Sequence, residues 1–239
     1  MKKRSFFTGL GIVVLVLIAA ALAVLPWKPP DAPQDDEGEH SPSPELTTSQ
    51  NPAPENRGSG SRPATPVDFV RETIDMVVRD GSFTVTGTYF LRWNDASLNV
   101  FPLMYPFPVD GGIHFPESVT VTGTDSRAPL PFRENRERGV ISFAVQQGLS
   151  DTFTVTYTQK TETASARYIL TTTKAWGKPL ERAAFIVTVP AHFRGVELTY
   201  EPDTVTRDGD SVIYRFTRTD FMPDHDLVVT WDDDTRRVQ

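Results

Sequence analysis

Four runs in the C-terminal part of the chain alternate apolar and polar side chains with a period of two, and that period leaves little choice of fold. In FTVTGTYFLRW, Phe83, Val85, Tyr89, Leu91 and Trp93 share one parity, and Thr84, Thr86, Thr88 and Arg92 share the other. In TFTVTYTQK, Phe153, Val155 and Tyr157 alternate with Thr152, Thr154, Thr156 and Thr158. Val212, Tyr214 and Phe216 repeat the pattern, as do Leu227, Val229 and Trp231. A strand sends successive side chains to opposite faces, so each run reads as a strand with one apolar side. The more continuous runs Val140–Val145 and Ala183–Val189 read as strands covered on both faces.

Turn chemistry falls between the runs. Asp80-Gly81 and Asp208-Gly209 are two-residue hairpin signals of the kind that fits a type I′ turn, where both central residues need positive φ. Asp110-Gly111-Gly112 and Gly148-Leu149-Ser150-Asp151 are further breaks. Gly87 inside a strong strand points to a bulge or a close approach. Pro102, Pro106 and Pro108 restrict VFPLMYPFP to an edge strand or an extended loop, because proline has no N–H for a ladder. Val70, Ile74 and Val77-Val78 also fit a helix, but Asp80-Gly81 favours a strand that closes a hairpin with the next run. No helix is expected beyond Val78. About nine or ten short strands with turns between them predict an all-β, immunoglobulin-like or related antiparallel β-sandwich over residues 67–239. A domain of that size buries roughly 70% of its extended-chain surface, so one core suffices without disulfides. That agrees with a chain of 239 residues that has no Cys.

The preceding residues differ in kind. Lys2, Lys3 and Arg4 are followed by Phe6 to Trp27 without a charge. Those residues would span about 33 Å as a helix, against a hydrocarbon core of roughly 30 Å. Residues 1–27 therefore read as a basic cytoplasmic end and a transmembrane signal-anchor, with Trp27 at the interface and the rest of the chain outside. The rival reading is a signal peptide cleaved after Ala21-Leu22-Ala23, giving a secreted protein. The anchor is favoured because the apolar run continues past Ala23 to full spanning length. Residues 28–66 hold nine of the 20 prolines, and Leu46 is their only large aliphatic or aromatic residue. Such a segment cannot offset its ordering entropy by burial and reads as a disordered, Pro- and acid-rich linker.

The chemistry is sparse. A net charge of -7 gives no electrostatic support for nucleic acid. Without Cys there is no thiolate metal site and no Cys nucleophile. No G-x-S-x-G motif follows a strand. The histidines are His40, His114, His192 and His225. Asp224-His225-Asp226 is the richest group of potential ligands, but consecutive side chains rarely converge on one ion, so a polar turn entering Leu227–Trp231 is preferred. His40 lies in an acidic run within the linker and reads as part of a solvated spacer. Asp232–Asp234 reads as a solvated tail that keeps an edge strand from pairing. No catalytic, cofactor or metal residue is assigned, and no cofactor is expected.

Exposed aromatics would suit a glycan, with Trp93, Phe101, Tyr105, Phe107 and Trp176 as candidates. Trp93 sits on the apolar parity of its strand and Trp231 on that of another, so burial suits both. The ligand or partner surface is placed at Trp176, Tyr105 and Phe101. Trp176-Gly177-Lys178-Pro179 joins ILTTT to AAFIVTV, two runs rich in Thr, Ile and Val that look like strands. Gly177 and Pro179 make a turn, and Trp176 reads as a plug at the sandwich corner rather than a platform.

Tyr168-Ile169-Leu170-Thr171-Thr172, then Trp176-Gly177-Lys178-Pro179-Leu180 and a strand ending at Val189-Pro190, form an aromatic strand leading into W-x-x-P-[IL]. Tyr214-Arg215-Phe216, Asp220-Phe221-Met222-Pro223 and Leu227-Val228-Val229 continue the pattern. It resembles uncharacterised β-sandwich domains of bacterial exported or membrane-anchored proteins over residues 151–231. That resemblance implies a fold and no site. The expectation is a single-pass, membrane-anchored, non-catalytic β-sandwich module of the cell envelope whose partner is another envelope or surface protein. A cell-wall or glycan-binding module is the alternative, and an extracytoplasmic hydrolase or metal-dependent enzyme the third.

Overall fold

A computed structural model describes residues 65–124 and 126–232. The apolar run and nearly all of the linker lie outside these residues. Among the described residues no helix is long and apolar enough to cross a membrane. The described part is all-β, with thirteen strands in three sheets and one short 3-10 turn, Thr171–Trp176. The first seven strands are β1 (Val67–Arg79), β2 (Ser82–Trp93), β3 (Val100–Pro106), β4 (Ser118–Gly123), β5 (Phe132–Asn135), β6 (Val140–Gln146) and β7 (Thr152–Lys160). After them come β8 (Ser165–Tyr168), β9 (Leu180–Pro190), β10 (Glu197–Leu198), β11 (Thr204–Asp208), β12 (Ser211–Phe221) and β13 (Leu227–Thr230).

The large sheet has the order β11-β12-β9-β1-β2-β7-β4, which makes β1 its central strand. Every pairing in this sheet is antiparallel except β1 with β9, which run parallel. The two smaller sheets, β3-β6-β5 and β10-β13-β8, lie over its apolar face. Phe143 of β6 meets Phe153 of β7 edge-on at 5.4 Å, and Tyr105 of β3 meets Tyr157 of β7 at 6.1 Å. Tyr168 of β8 reaches Glu72 of β1. One core joins all three sheets: Ile74, Val85, Val155 and Val187 come from below, and Ile141, Val145, Ala166 and Leu227 from above. The opposite face of the large sheet carries threonines that bond across strands, such as Thr84 with Thr158 at 2.9 Å.

The parities of β2 and β7 are as the alternation predicts, with Phe83, Val85, Tyr89, Phe153, Val155 and Tyr157 all buried. Several expectations need correction. Residues 171–176 form the 3-10 turn and not a strand, so the strand before Trp176 is only Ser165–Tyr168. β6 is not covered on both faces, since Ser142 and Ala144 are exposed. Neither hairpin is a type I′ turn, because only Gly81 and Gly209 take positive φ while their aspartate neighbours do not. The second loop is Gly209-Asp210, one residue later than the Asp-Gly signal, because Asp208 pairs with Ser211. β3 is an edge strand, one of the two options that its prolines left for VFPLMYPFP.

Gly87 marks no bulge. It faces inward between Ile74 and Val155, and the Tyr89 ring folds back over it. A Cβ there would meet Tyr89 Cε2 at 2.8 Å and its hydroxyl closer still. Gly87→Ala should therefore displace a buried phenol and break its hydroxyl bonds. Overpacking together with an unsatisfied hydroxyl should cost about 2–4 kcal/mol. A denaturant melt checks this, and an unchanged midpoint would contradict the packing described.

Candidate functional site

The site is built on the central strand. Ile74, Met76 and Val78 are buried, and counting back by two puts Glu72 on the same inner face, where it is 3% exposed. A regular strand would send Phe69 to the other side. The pairing of β1 with β2 slips between Phe69 and Arg71, which leaves Val70 as an extra residue. Phe69 then stands opposite Leu91 and Glu72 opposite Tyr89, all on the core side.

Tyrosines close over the carboxyl. Tyr168 donates to Glu72 Oε2 at 3.1 Å. Its hydroxyl lies 3.0 Å from that of Tyr89, which in turn lies 2.7 Å from that of Tyr105. Each hydroxyl has a single proton, so Tyr89 donates to Tyr168 and accepts from Tyr105. Glu72 Oε1, also buried, has no partner among the described residues. Burial pushes the Glu72 carboxyl up to about 8, against the smaller opposing pull of the Tyr168 bond. Burial likewise holds the phenols of Tyr89, Tyr105 and Tyr168 well above their ordinary range, and the Glu72 charge adds to it. At neutral pH the folded site is a protonated acid among neutral phenols.

A cavity of about 70 Å³ opens beside these groups, walled by Phe69, Leu103, Tyr105, Phe153 and Trp176, with Met104 and Thr172 also lining it. The 3-10 turn forms one wall and is fixed from two directions. Asp226 Oδ1 accepts from the N–H groups of Leu170 and Thr171 at 3.0 and 3.1 Å, and from Thr171 Oγ1 at 2.9 Å. These bonds satisfy donors that the turn leaves open at its start. At the other end Gly177 takes φ 72° and reverses the chain. Lys178 Nζ then meets both carboxylate oxygens of Asp68 on β1, at 2.9 and 2.8 Å. Burial tends to raise the Asp68 carboxyl, but the bonds from Lys178, Asn94 and Thr65 outweigh it and hold the group below its usual range.

Trp176 is half-buried, its ring centroid 5.7 Å from Phe69 and 6.0 Å from Phe101, with planes tilted by 51° and 40°. Tyr105 and Trp176 both line the cavity, and Phe101 stands behind Trp176. The three surface candidates are thus all half-buried at this site, with Phe101 and Trp176 inclined to each other. Sequence reasoning missed Glu72, Tyr89 and Tyr168. The signal was present, because Glu72 shares its parity with Ile74, Met76 and Val78. An acid in line with three apolar residues of one strand has to be buried.

The other polar candidates are paired locally. His225 stacks on Tyr200 at 4.3 Å and bonds Asp224 at 2.6 Å. His114 meets Glu162 at 2.9 Å and His192 meets Asp80 at 3.4 Å, all exposed. Trp231 stacks on Phe193 at 4.8 Å. Asp233 and Asp234 lie outside the described residues, as does His40. A second, open hollow of about 450 Å³ contains Arg92 and Glu181, which pair with each other at 2.6 Å.

No protein-family model matches the chain, and no curated protein matches it. Among solved structures it is similar to native yeast LTA4 hydrolase and to leukotriene A4 hydrolase from Saccharomyces cerevisiae, each at a TM-score of 0.41 and 9% identity. Each match covers 70% of this chain and 29% of the other. This chain therefore spans less than a third of those proteins' length, and at that TM-score the likeness carries no weight for activity.

The Glu72 carboxyl gives the fold a pH dependence of definite sign. Its folded value is raised from 4.5 to about 8, so the neutral form is the one the fold favours. The stabilisation is complete below about pH 4.5 and lost as pH rises towards 8, with an upper limit of about 5 kcal/mol. Urea melts between pH 5 and 8 should show stability falling with pH, and Glu72→Gln should flatten that slope. Asp75 is also raised, by burial outweighing Arg215, so the difference between the two proteins is the quantity to read. Parallel profiles would contradict the assignment.

Proposed function

We propose that this chain is a single-pass, membrane-anchored, non-catalytic β-sandwich module of the cell envelope, and that its domain outside the membrane holds another envelope or surface protein by one inserted side chain. The cavity beside Trp176 carries this reading. At about 70 Å³ it is far below the roughly 300–1,000 Å³ of small-molecule sites, yet suits a single anchor residue. Its mouth is bordered by β3, where Met104 is 47% and Val100 44% exposed. Pro102 and Pro106 deprive that edge of two N–H donors, so a partner gains little by adding a strand and must engage side chains.

The anchor is supported by the uncharged run Phe6–Trp27 behind Lys2, Lys3 and Arg4. A glycan platform would want exposed, coplanar rings, and the inclination of Trp176 to Phe101 is against it. Among the described residues lining the cavity there is no His, Ser or Lys to complete a catalytic pair with Glu72, which favours binding over catalysis. Of the sandwich classes, the related antiparallel one fits better than the immunoglobulin-like one. An immunoglobulin domain divides its strands four and three, whereas seven lie in one sheet here.

A photo-crosslinking residue at Met104 of the full chain, activated in intact membranes, tests the reading. A discrete protein adduct should form, should weaken when Thr172→Phe fills the mouth, and should be absent from Val205, an equally exposed control on β11. Adducts of equal yield at both positions, or adducts indifferent to Thr172→Phe, would overturn it. A cell-wall adduct would favour the glycan alternative, and chains recovered free of membranes would favour the cleaved signal.

A further inference from the structure

The carboxyl at the cavity is unusual in its surroundings. Glu72 Oε1 has no hydrogen-bond partner among the described residues, although a buried carboxyl oxygen ordinarily has one. The walls beside it are aromatic: Phe69, Tyr89, Tyr168 and Trp176. Aromatic faces carry negative quadrupole charge and attract cations, most strongly where water is excluded. Among the described residues lining the cavity there is no Lys or Arg. One water needs roughly 10–15 Å³, so about 70 Å³ leaves room for several heavy atoms in line and no more.

We propose that this cavity is an ammonium site, which takes the end of a primary alkylammonium group with its charge on Glu72 Oε1 and its methylenes against Phe69 and Trp176. The proposal rests on the reading of the domain as a binding module and supplies the chemistry of the inserted group. A lysine side chain of a partner protein and a free small amine share this head group. One of the three N–H donors would satisfy the orphan oxygen, and the incoming charge would replace the proton that Glu72 otherwise keeps. The exchange balances: an alkylammonium ion and a protonated Glu72 give the ion pair and one proton released to solvent. Tyr168, Tyr89 and Tyr105 are the titratable groups facing Glu72, and all remain neutral over the range concerned.

Calorimetry on the full chain in detergent, with n-butylammonium chloride and n-butanol as probes, tests the assignment. The ammonium should bind at least about tenfold tighter than the alcohol, the difference a single desolvated charge contact supplies. Below pH 8 its affinity should rise about tenfold per pH unit, with one proton released, as linkage to Glu72 requires. Glu72→Gln should abolish the preference and the proton release. Trp176→Leu, which leaves the carboxyl in place, should reduce the preference while sparing butanol. An acetylated Gly-Lys-Gly amide that binds tighter than butylammonium, with its norleucine counterpart weak, assigns the head group to a protein lysine. The reverse order assigns it to a free amine. Equal binding of butylammonium and butanol, or binding of neither, would overturn the ammonium site. If a Met104 adduct still forms in membranes, the binding module stands and only its ligand chemistry fails.

Discussion

A carboxyl group on the middle strand of a seven-stranded sheet, facing the core, has to be reconciled with everything packed above it. Ionised and unpaired, it would cost several kcal/mol, and the usual response is to keep its proton. Here Glu72 does so beneath a line of phenols, with Tyr168 donating to one oxygen and the other left open. The three sheets meet at this point. Glu72 and Tyr89 come from the large sheet, Tyr105 from the β3 sheet and Tyr168 from the β8 sheet. The hydroxyl line is polar, but it lies between aromatic planes that form part of the core, such as Tyr89 against Phe153 at 5.1 Å. Removing one hydroxyl would leave its neighbours short of a partner, so these groups act together.

Three local irregularities make the arrangement possible. The extra residue at Val70 turns Phe69 and Glu72 to the same side. Gly87 provides the space into which the Tyr89 ring folds. The 3-10 turn carries Trp176 over the open side, pinned by Asp226 at its start and by the Lys178–Asp68 pair after its end. The first and third interrupt regular strand geometry, Gly87 opens space within a regular strand, and all three bear on one cavity. Departures from local regularity that converge in this way are where function is expected.

Alternation made much of the fold legible. The burial parities of β2 and β7 follow the Thr-rich pattern residue by residue, and the prolines of VFPLMYPFP are on an edge strand. What stayed hidden depends on residues distant in sequence. Ile169–Thr172 has strand composition, but Asp226, more than fifty residues later, supplies the acceptor that pins the start of the 3-10 turn there. Val140–Val145 looks continuous because small Ser142 and Ala144 do not reveal that their side is open. The parallel pairing of β1 with β9 leaves no local mark. Of the site, Tyr105 and Trp176 were legible as aromatics flanked by turn residues. Glu72 was masked by an apparent helical spacing of Val70, Ile74 and Val77-Val78, although its parity with Ile74 and Met76 marks it as buried. Its consequence, a raised pKa, could not be seen without knowing that Tyr168 and Tyr105 close over it.

Glu72 keeps its proton within the folded domain at neutral pH, and the chemistry of the cavity follows from that. Carbon-13 NMR of the glutamate side-chain carboxyls, with Glu72 assigned by its absence in Glu72→Gln, measures this directly. A Glu72 resonance that titrates near pH 8 while the fold remains intact is the predicted result. A Glu72 carboxyl that titrates near its ordinary 4.5 would contradict the buried acid and the reading of the cavity built upon it.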